Sequence, residues 1–101
     1  MKNEFRNGQI VCSTQGRDKG EYYIVLTASS NYCYVADGKY KTIEKPKRKN
    51  IAHIKATKVI ITEIAQKIES KTKINDQMIY HSLYEFKKGL KGVQNGNWGS
   101  N

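Results

Sequence analysis

The sequence predicts a small, mainly β domain, a barrel or sandwich, followed by a C-terminal helical segment. Short runs of β-branched and aromatic residues recur at intervals of about ten residues through the first half, punctuated by Gly, Asn, Asp and Pro. After Thr57 the apolar period changes: Ile61, Ile64, Ala65 and Ile68 stand at i, i+3, i+4 and i+7, one face of a helix. With 101 residues, 38% of them hydrophobic, the chain has the size of one domain with a modest core. A deep enzyme cleft is not expected at this size.

Residues 1–7 are polar and predicted to fray, with Phe5 as the anchor. Residues 9–14 (Gln-Ile-Val-Cys-Ser-Thr) form the first strand. Gly16-Arg17-Asp18-Lys19-Gly20 follows as a tight loop, its two glycines able to take backbone angles closed to other residues. Residues 22–27 are strongly β-prone and make the second strand. Ala28-Ser29-Ser30-Asn31 is turn chemistry, and residues 32–36 form a third strand with tyrosines at alternate positions. Asp37-Gly38 is a preferred pair for a two-residue hairpin, so residues 39–44 are expected to return antiparallel as a fourth strand. Pro46 ends that strand, residues 47–50 become a basic loop, and residues 51–56 form a fifth strand pairing back near the first.

Beyond the first helix, Lys71-Thr72-Lys73 reads as a link and Asn75 or Asp76 as the N-cap of a second. Ile79, Leu83, Phe86 and Leu90 form its apolar stripe, and Gly89 and Gly92 among Lys87, Lys88 and Lys91 mark its end. The two helices are expected to pair as a hairpin against the β domain. The organisation is thus a β domain over residues 8–57, a helical extension over 58–91 and a disordered tail over 92–101.

The net charge of +9 is concentrated. Residues 1–38 are balanced, with four basic and four acidic side chains, whereas residues 39–58 carry eight basic side chains against Glu44 alone. Such clustering repels itself and points to a polyanion, nucleic acid first. An acidic protein or a membrane surface is the other polyanion to weigh. No apolar run reaches the roughly 20 residues of a membrane span, and Met1-Lys2-Asn3-Glu4-Phe5-Arg6 lacks the apolar core of a signal peptide. A cytoplasmic protein is expected, with Cys12 and Cys33 as reduced thiols in strands. Cys12, Cys33, His53 and His81 are scattered singly, so neither a metal site nor a cofactor is indicated. No triad or carboxylate pair argues for catalysis.

The run Ile10-Val11-Cys12-Ser13-Thr14-Gln15-Gly16-Arg17-Asp18-Lys19-Gly20-Glu21-Tyr22-Tyr23-Ile24-Val25 resembles a KOW motif. Ala36-Asp37-Gly38 and the later Glu44-Lys45-Pro46-Lys47-Arg48-Lys49-Asn50-Ile51-Ala52-His53 extend the likeness to about residues 8–57. In this layout the chain is similar to small bacterial KOW-domain RNA-binding proteins, themselves similar to an archaeal and eukaryotic large-subunit ribosomal protein family. Tyr23 stands where many KOW motifs carry a further glycine. The resemblance implies an SH3-like barrel that binds ribosomal or other structured RNA through basic loops. A non-enzymatic monomer is expected, either a ribosome constituent or a ribosome-associated factor.

The candidate RNA contacts follow. Arg17 and Lys19 flank Asp18 on a loop whose Gly16 and Gly20 let a phosphate backbone come close. Six of the twelve residues from Lys39 to Asn50 are basic: Lys39, Lys41, Lys45, Lys47, Arg48 and Lys49. Phosphate neutralisation needs density more than geometry, and Arg48 can add a planar two-point contact. Tyr40, among lysines, is the tyrosine best placed to stack on a base. The competing function is a protein-interaction adaptor, using the barrel or the stripe Ile79–Leu83–Phe86.

Overall fold

A computed structural model describes residues 5–94 of the chain. Its strands are β1 (Gln9–Ser13), β2 (Tyr22–Ala28), β3 (Tyr32–Ala36), β4 (Lys47–Asn50) and β5 (Ile54–Ile60), with a 3-10 turn at Ile51–His53 and helices α1 (Thr62–Glu69) and α2 (Asp76–Gln94). All neighbouring strands pair antiparallel in one five-stranded sheet, in the order β4-β3-β2-β1-β5. The fifth strand does return to the first, with Val11 opposite Ala56 and Ser13 opposite Ile54.

β4 and β5 are the two edges of the sheet, yet only the short 3-10 turn joins them. Such a link spans at most about 14 Å, whereas the edges of a flat five-stranded sheet lie roughly 19 Å apart. The sheet is therefore curled. Register shifts between Gln9 and Val11 and between Val25 and Thr27 supply bends of the kind a bulge gives. No ladder joins β4 to β5, so the sheet remains open along that line.

Side chains alternate across the sheet, and each face has its own core. On the outer face Ile10, Ile24 and Ala36 pack against Ile64 of α1 and Ile79 and Leu83 of α2. On the inner face Val11, Tyr23, Val25, Cys33, Val35 and Ile54 form a second cluster with no helical member, each at most 6% exposed. The curl of the sheet, with Phe5 and Ile51 at its margin, covers that cluster. Ile64, Ile79 and Leu83 of the two helical stripes are thus buried on the outer face of the sheet, with Ile61, Ile68 and Phe86 packed against them, and the Phe86 and Tyr22 rings meet edge to face at 5.1 Å. Asn75 is the N-cap, its Oδ1 accepting from the Met78 N–H at 2.9 Å. Cys12 and Cys33 are not joined in a disulfide.

Three expectations are corrected. Residues 39–44 are a loop, not a strand. The Asp37 carboxylate accepts from the backbone N–H groups of Lys39, Tyr40 and Lys41 at 2.8–2.9 Å, taking the donors a strand would offer its partner. Gly38 serves close approach as well as its φ of +82°: a Cβ there would lie 2.7 Å from the Tyr80 nitrogen on α2. Asp76 then fixes the far side of the loop by accepting from the Ile43 N–H at 2.8 Å. Conversely, residues 47–50, expected as a basic loop, are strand β4, paired with β3. The fifth strand also begins later than expected, because the Asn50 side chain caps a 3-10 turn through the Ala52 N–H, and it runs on to Ile60. Of the tail expected at residues 92–101, residues 92–94 belong to α2, and the remainder lies outside the described residues.

Candidate nucleic-acid interface

The glycine loop between β1 and β2 is closed by its own backbone, with the Gly20 N–H donating to the Ser13 carbonyl and the Lys19 N–H to Gly16. Gly16 and Gly20 have φ of +95° and +93°. Nothing within 4 Å would meet a side chain at Gly20, so here the residue type answers to backbone angle, not crowding. Arg17 and Lys19 are exposed, and Asp18 between them turns inward.

Asp18 is a hub. Its Oδ1 accepts from the Ser13 hydroxyl at 2.8 Å and from the Lys49 amine at 3.2 Å. Its Oδ2 accepts from the Tyr23 hydroxyl at 2.7 Å and pairs with the Lys47 amine at 3.3 Å. Burial alone pushes the carboxyl pKa up. Hydrogen bonds from Tyr23, Ser13 and Lys49, with the charge of Lys49, outweigh that and hold it well below the usual carboxylate range. Burial and the same bond raise Tyr23 above the ordinary phenol value. Tyr23 is therefore a partner of the loop's own aspartate.

Lys47 and Lys49 reach Asp18 from β4, three strands away from β1 along the sheet, so these contacts lie across its curl. Two basic segments about thirty residues apart in sequence meet there. Strand alternation decides which of their cations face solvent. Lys49 is buried and also donates to the Gln15 carbonyl at 3.2 Å, so its amine is committed within the fold. Lys47 is half-buried. Arg48 points to the other face, exposed, with its guanidinium 4.2 Å from the centre of the Tyr32 ring, and Tyr34 meets Tyr32 edge-on at 5.5 Å.

The remaining candidates lie elsewhere. Lys45 is exposed in the loop before β4, and Lys55 and Lys58 are exposed on β5. Lys39 and Tyr40 are exposed and Lys41 half-buried in the loop held by Asp37, beside the start of α2. That loop, Tyr22 and α2 enclose a cavity of about 190 Å³ whose α2 wall includes Tyr80, Tyr84 and Lys87. Tyr80 and Tyr84 carry no expectation from the sequence and Lys87 only that of a helix-end charge, although the three stand at i, i+4 and i+7 on the helix, away from its apolar stripe. Among the described residues, no group of three or more His, Cys, Asp or Glu is placed to hold a metal ion, and no helix is long and apolar enough to cross a membrane. No family model and no curated protein matches the chain.

Proposed function

We propose that this chain is a non-enzymatic RNA-binding protein of the KOW type, an SH3-like barrel that docks as a cytoplasmic monomer on structured RNA, ribosomal RNA foremost. The observation that carries the reading is the pairing of Asp18 with Lys47 and Lys49. It brings the basic strand against the glycine loop and neutralises the one carboxylate between Arg17 and Lys19. A phosphate backbone approaching that loop then meets Arg17 and Lys19 with the carboxylate between them already paired; Glu21, just past the loop, is the exposed acid nearest in sequence. The curled sheet, with its edges linked by a 3-10 turn, is compatible with the barrel that the KOW resemblance implies. Recognition is electrostatic and by shape, as suits folded RNA. The adaptor reading loses its helical surface, because Ile79 and Leu83 are buried on the sheet and Phe86 packs with them.

Five of the candidate cations, Arg17, Lys19, Lys39, Lys45 and Arg48, are exposed. If each neutralises one phosphate, log Kd against log salt concentration should have a slope of magnitude roughly 3.5–4.5. Filter binding of total ribosomal RNA across a KCl series measures it. No retention at low salt, or retention indifferent to salt, overturns the proposal. Arg17→Glu, Lys19→Glu and Arg48→Glu together should reduce the slope by about 2–3 and abolish sedimentation with ribosomes. Lys49 is left out of that set, since reversing a buried charge would report on folding.

A further inference from the structure

The cavity beside α2 concentrates what the rest of the surface lacks. Four large hydrophobic side chains are exposed among the described residues, and three of them, Tyr40 (75%), Tyr80 (46%) and Tyr84 (52%), border this one cavity. Tyr22 also lines it, its ring packed edge to face with Phe86. Exposed apolar groups gathered in one place mark a binding surface more often than scattered ones do. At about 190 Å³ the space lies below the roughly 300–1,000 Å³ of pockets for drug-sized ligands. It suits a flat ring system entering between side chains.

The charges around it select among flat ligands. The Lys39 amine lies 5.1 Å from the centre of the Tyr40 ring, and the Lys88 amine 5.9 Å from that of Tyr84. Lys87 also lines the cavity. Each of Tyr40 and Tyr84 is thus paired with a cation lying over one side of an exposed ring. Two carboxylates also line the space. Asp37 is occupied by three backbone N–H groups of its own loop, which leaves Glu21 as an exposed acceptor able to take an amino group of a base. Its walls are held in place: α2 forms one, and the loop opposite, shaped by Asp37, is fixed to the helix through Asp76 and the close approach of Gly38.

We propose that this cavity is a second RNA site, a stacking cleft for unpaired nucleotides, with Tyr40, Tyr80 and Tyr84 as platforms and Lys39, Lys87 and Lys88 contacting the phosphates of the stacked stretch. It rests on the RNA-binding reading and adds to it. The basic surface around Asp18 follows backbone shape, whereas the cleft requires a flipped or looped-out base, because a base inside a duplex offers no free face. The protein therefore prefers stems carrying a loop or bulge to uninterrupted duplex.

The test compares two fluorescently labelled RNAs at one salt concentration: a stem capped by a six-nucleotide unpaired loop, and a continuous duplex of the same stem sequence. Tyr40→Ala and Tyr84→Ala remove exposed rings, and Tyr84→Phe keeps the ring without the hydroxyl. Each alanine should weaken the looped RNA by about tenfold and leave the duplex within about twofold, with Tyr84→Phe close to wild type. Equal weakening on both RNAs, or none on either while wild type binds both, overturns the cleft and leaves the RNA-binding proposal standing. Failure of wild type to bind either RNA overturns both. Unchanged circular dichroism and melting temperature in the alanine variants show that the fold is retained.

Discussion

Replacing Asp18 with asparagine preserves the volume of the side chain and removes its charge, at a position where two lysine amines lie within 3.3 Å. Lys49 sets the magnitude. Its side chain is 7% exposed, so its ammonium cannot recover hydration without moving the strand. Removing one partner of a buried pair costs roughly 3–5 kcal/mol when the remaining charge is left uncompensated. The Gln15 carbonyl still accepts from Lys49, and asparagine retains one oxygen, so the loss should fall at the lower end, about 3 kcal/mol. Lys47, 34% exposed on its side chain, adds less than about 1 kcal/mol. At ~4–8 °C per kcal/mol for a domain of this size, the melting temperature should fall by roughly 12–24 °C. Urea unfolding of D18N, Lys49→Met and the double variant isolates the pair, because the double variant has neither the carboxylate nor the buried ammonium. An interaction energy of about 2 kcal/mol is expected. A loss below about 1 kcal/mol in D18N, or single effects that add to within ~0.3 kcal/mol, refutes the account. Acid adds an independent check. The folded chain holds the Asp18 carboxyl below its ordinary value, so its contribution is complete above about pH 4 and is lost as pH falls further. D18N should flatten that limb of the stability profile.

Two backbone predictions separate crowding from conformation. Gly38→Ala meets both a φ of +82° and a nitrogen 2.7 Å from the new Cβ, whereas Gly20→Ala meets a φ of +93° in open space. Gly38→Ala should cost about 3 kcal/mol and Gly20→Ala about 1 kcal/mol; equal losses in thermal melts would show that the loop is not pressed against α2. Lys71, with φ of +60° just past the end of α1, stands where helices usually place glycine. Lys71→Gly should therefore raise stability by about 0.5–1 kcal/mol in urea titrations, and a loss would contradict the left-handed cap.

Legibility in the sequence tracks the range of the forces involved. β1, β2, β3 and the two helices rest on local patterns, such as the paired runs around Val11 and Val25 and the spacing of Ile79, Leu83 and Phe86, and they form near the expected positions. Residues 39–44 fail because Lys39-Tyr40-Lys41-Thr42 alternates as a strand does, while the deciding contacts are the Asp37 carboxylate and Asp76, 33 residues beyond Ile43. The Asp-Gly signal is genuine, but its aspartate folds back on the chain and its glycine admits a helix. Residues 47–50 fail for the converse reason. Lys-Arg-Lys-Asn has no apolar face, and the strand makes sense only once Asp18, 31 residues before Lys49, is known to receive it. In the candidate site, the exposure of Arg17, Lys19, Arg48 and Tyr40 agrees with a surface role. The inward turn of Lys49 was not legible, since charge density is read from composition and direction from the pleat.

That alternation resolves an apparent conflict in β4. An edge strand of consecutive cations exposes unpaired backbone, and its charges discourage another chain from adding to it. If all three basic side chains faced solvent, however, nothing would hold the strand to the fold but four rungs to β3. Directing Lys47 and Lys49 inward to one carboxylate anchors the strand, and directing Arg48 outward keeps a planar cation over Tyr32. One run of sequence thus serves folding on one face and leaves a cation for the proposed RNA binding on the other. The two roles separate by residue: Lys49→Met should shift the unfolding curve while sparing the salt slope of RNA binding, and Arg48→Glu should do the reverse. If both substitutions moved both measurements together, anchoring and binding would not be divided between the faces of β4.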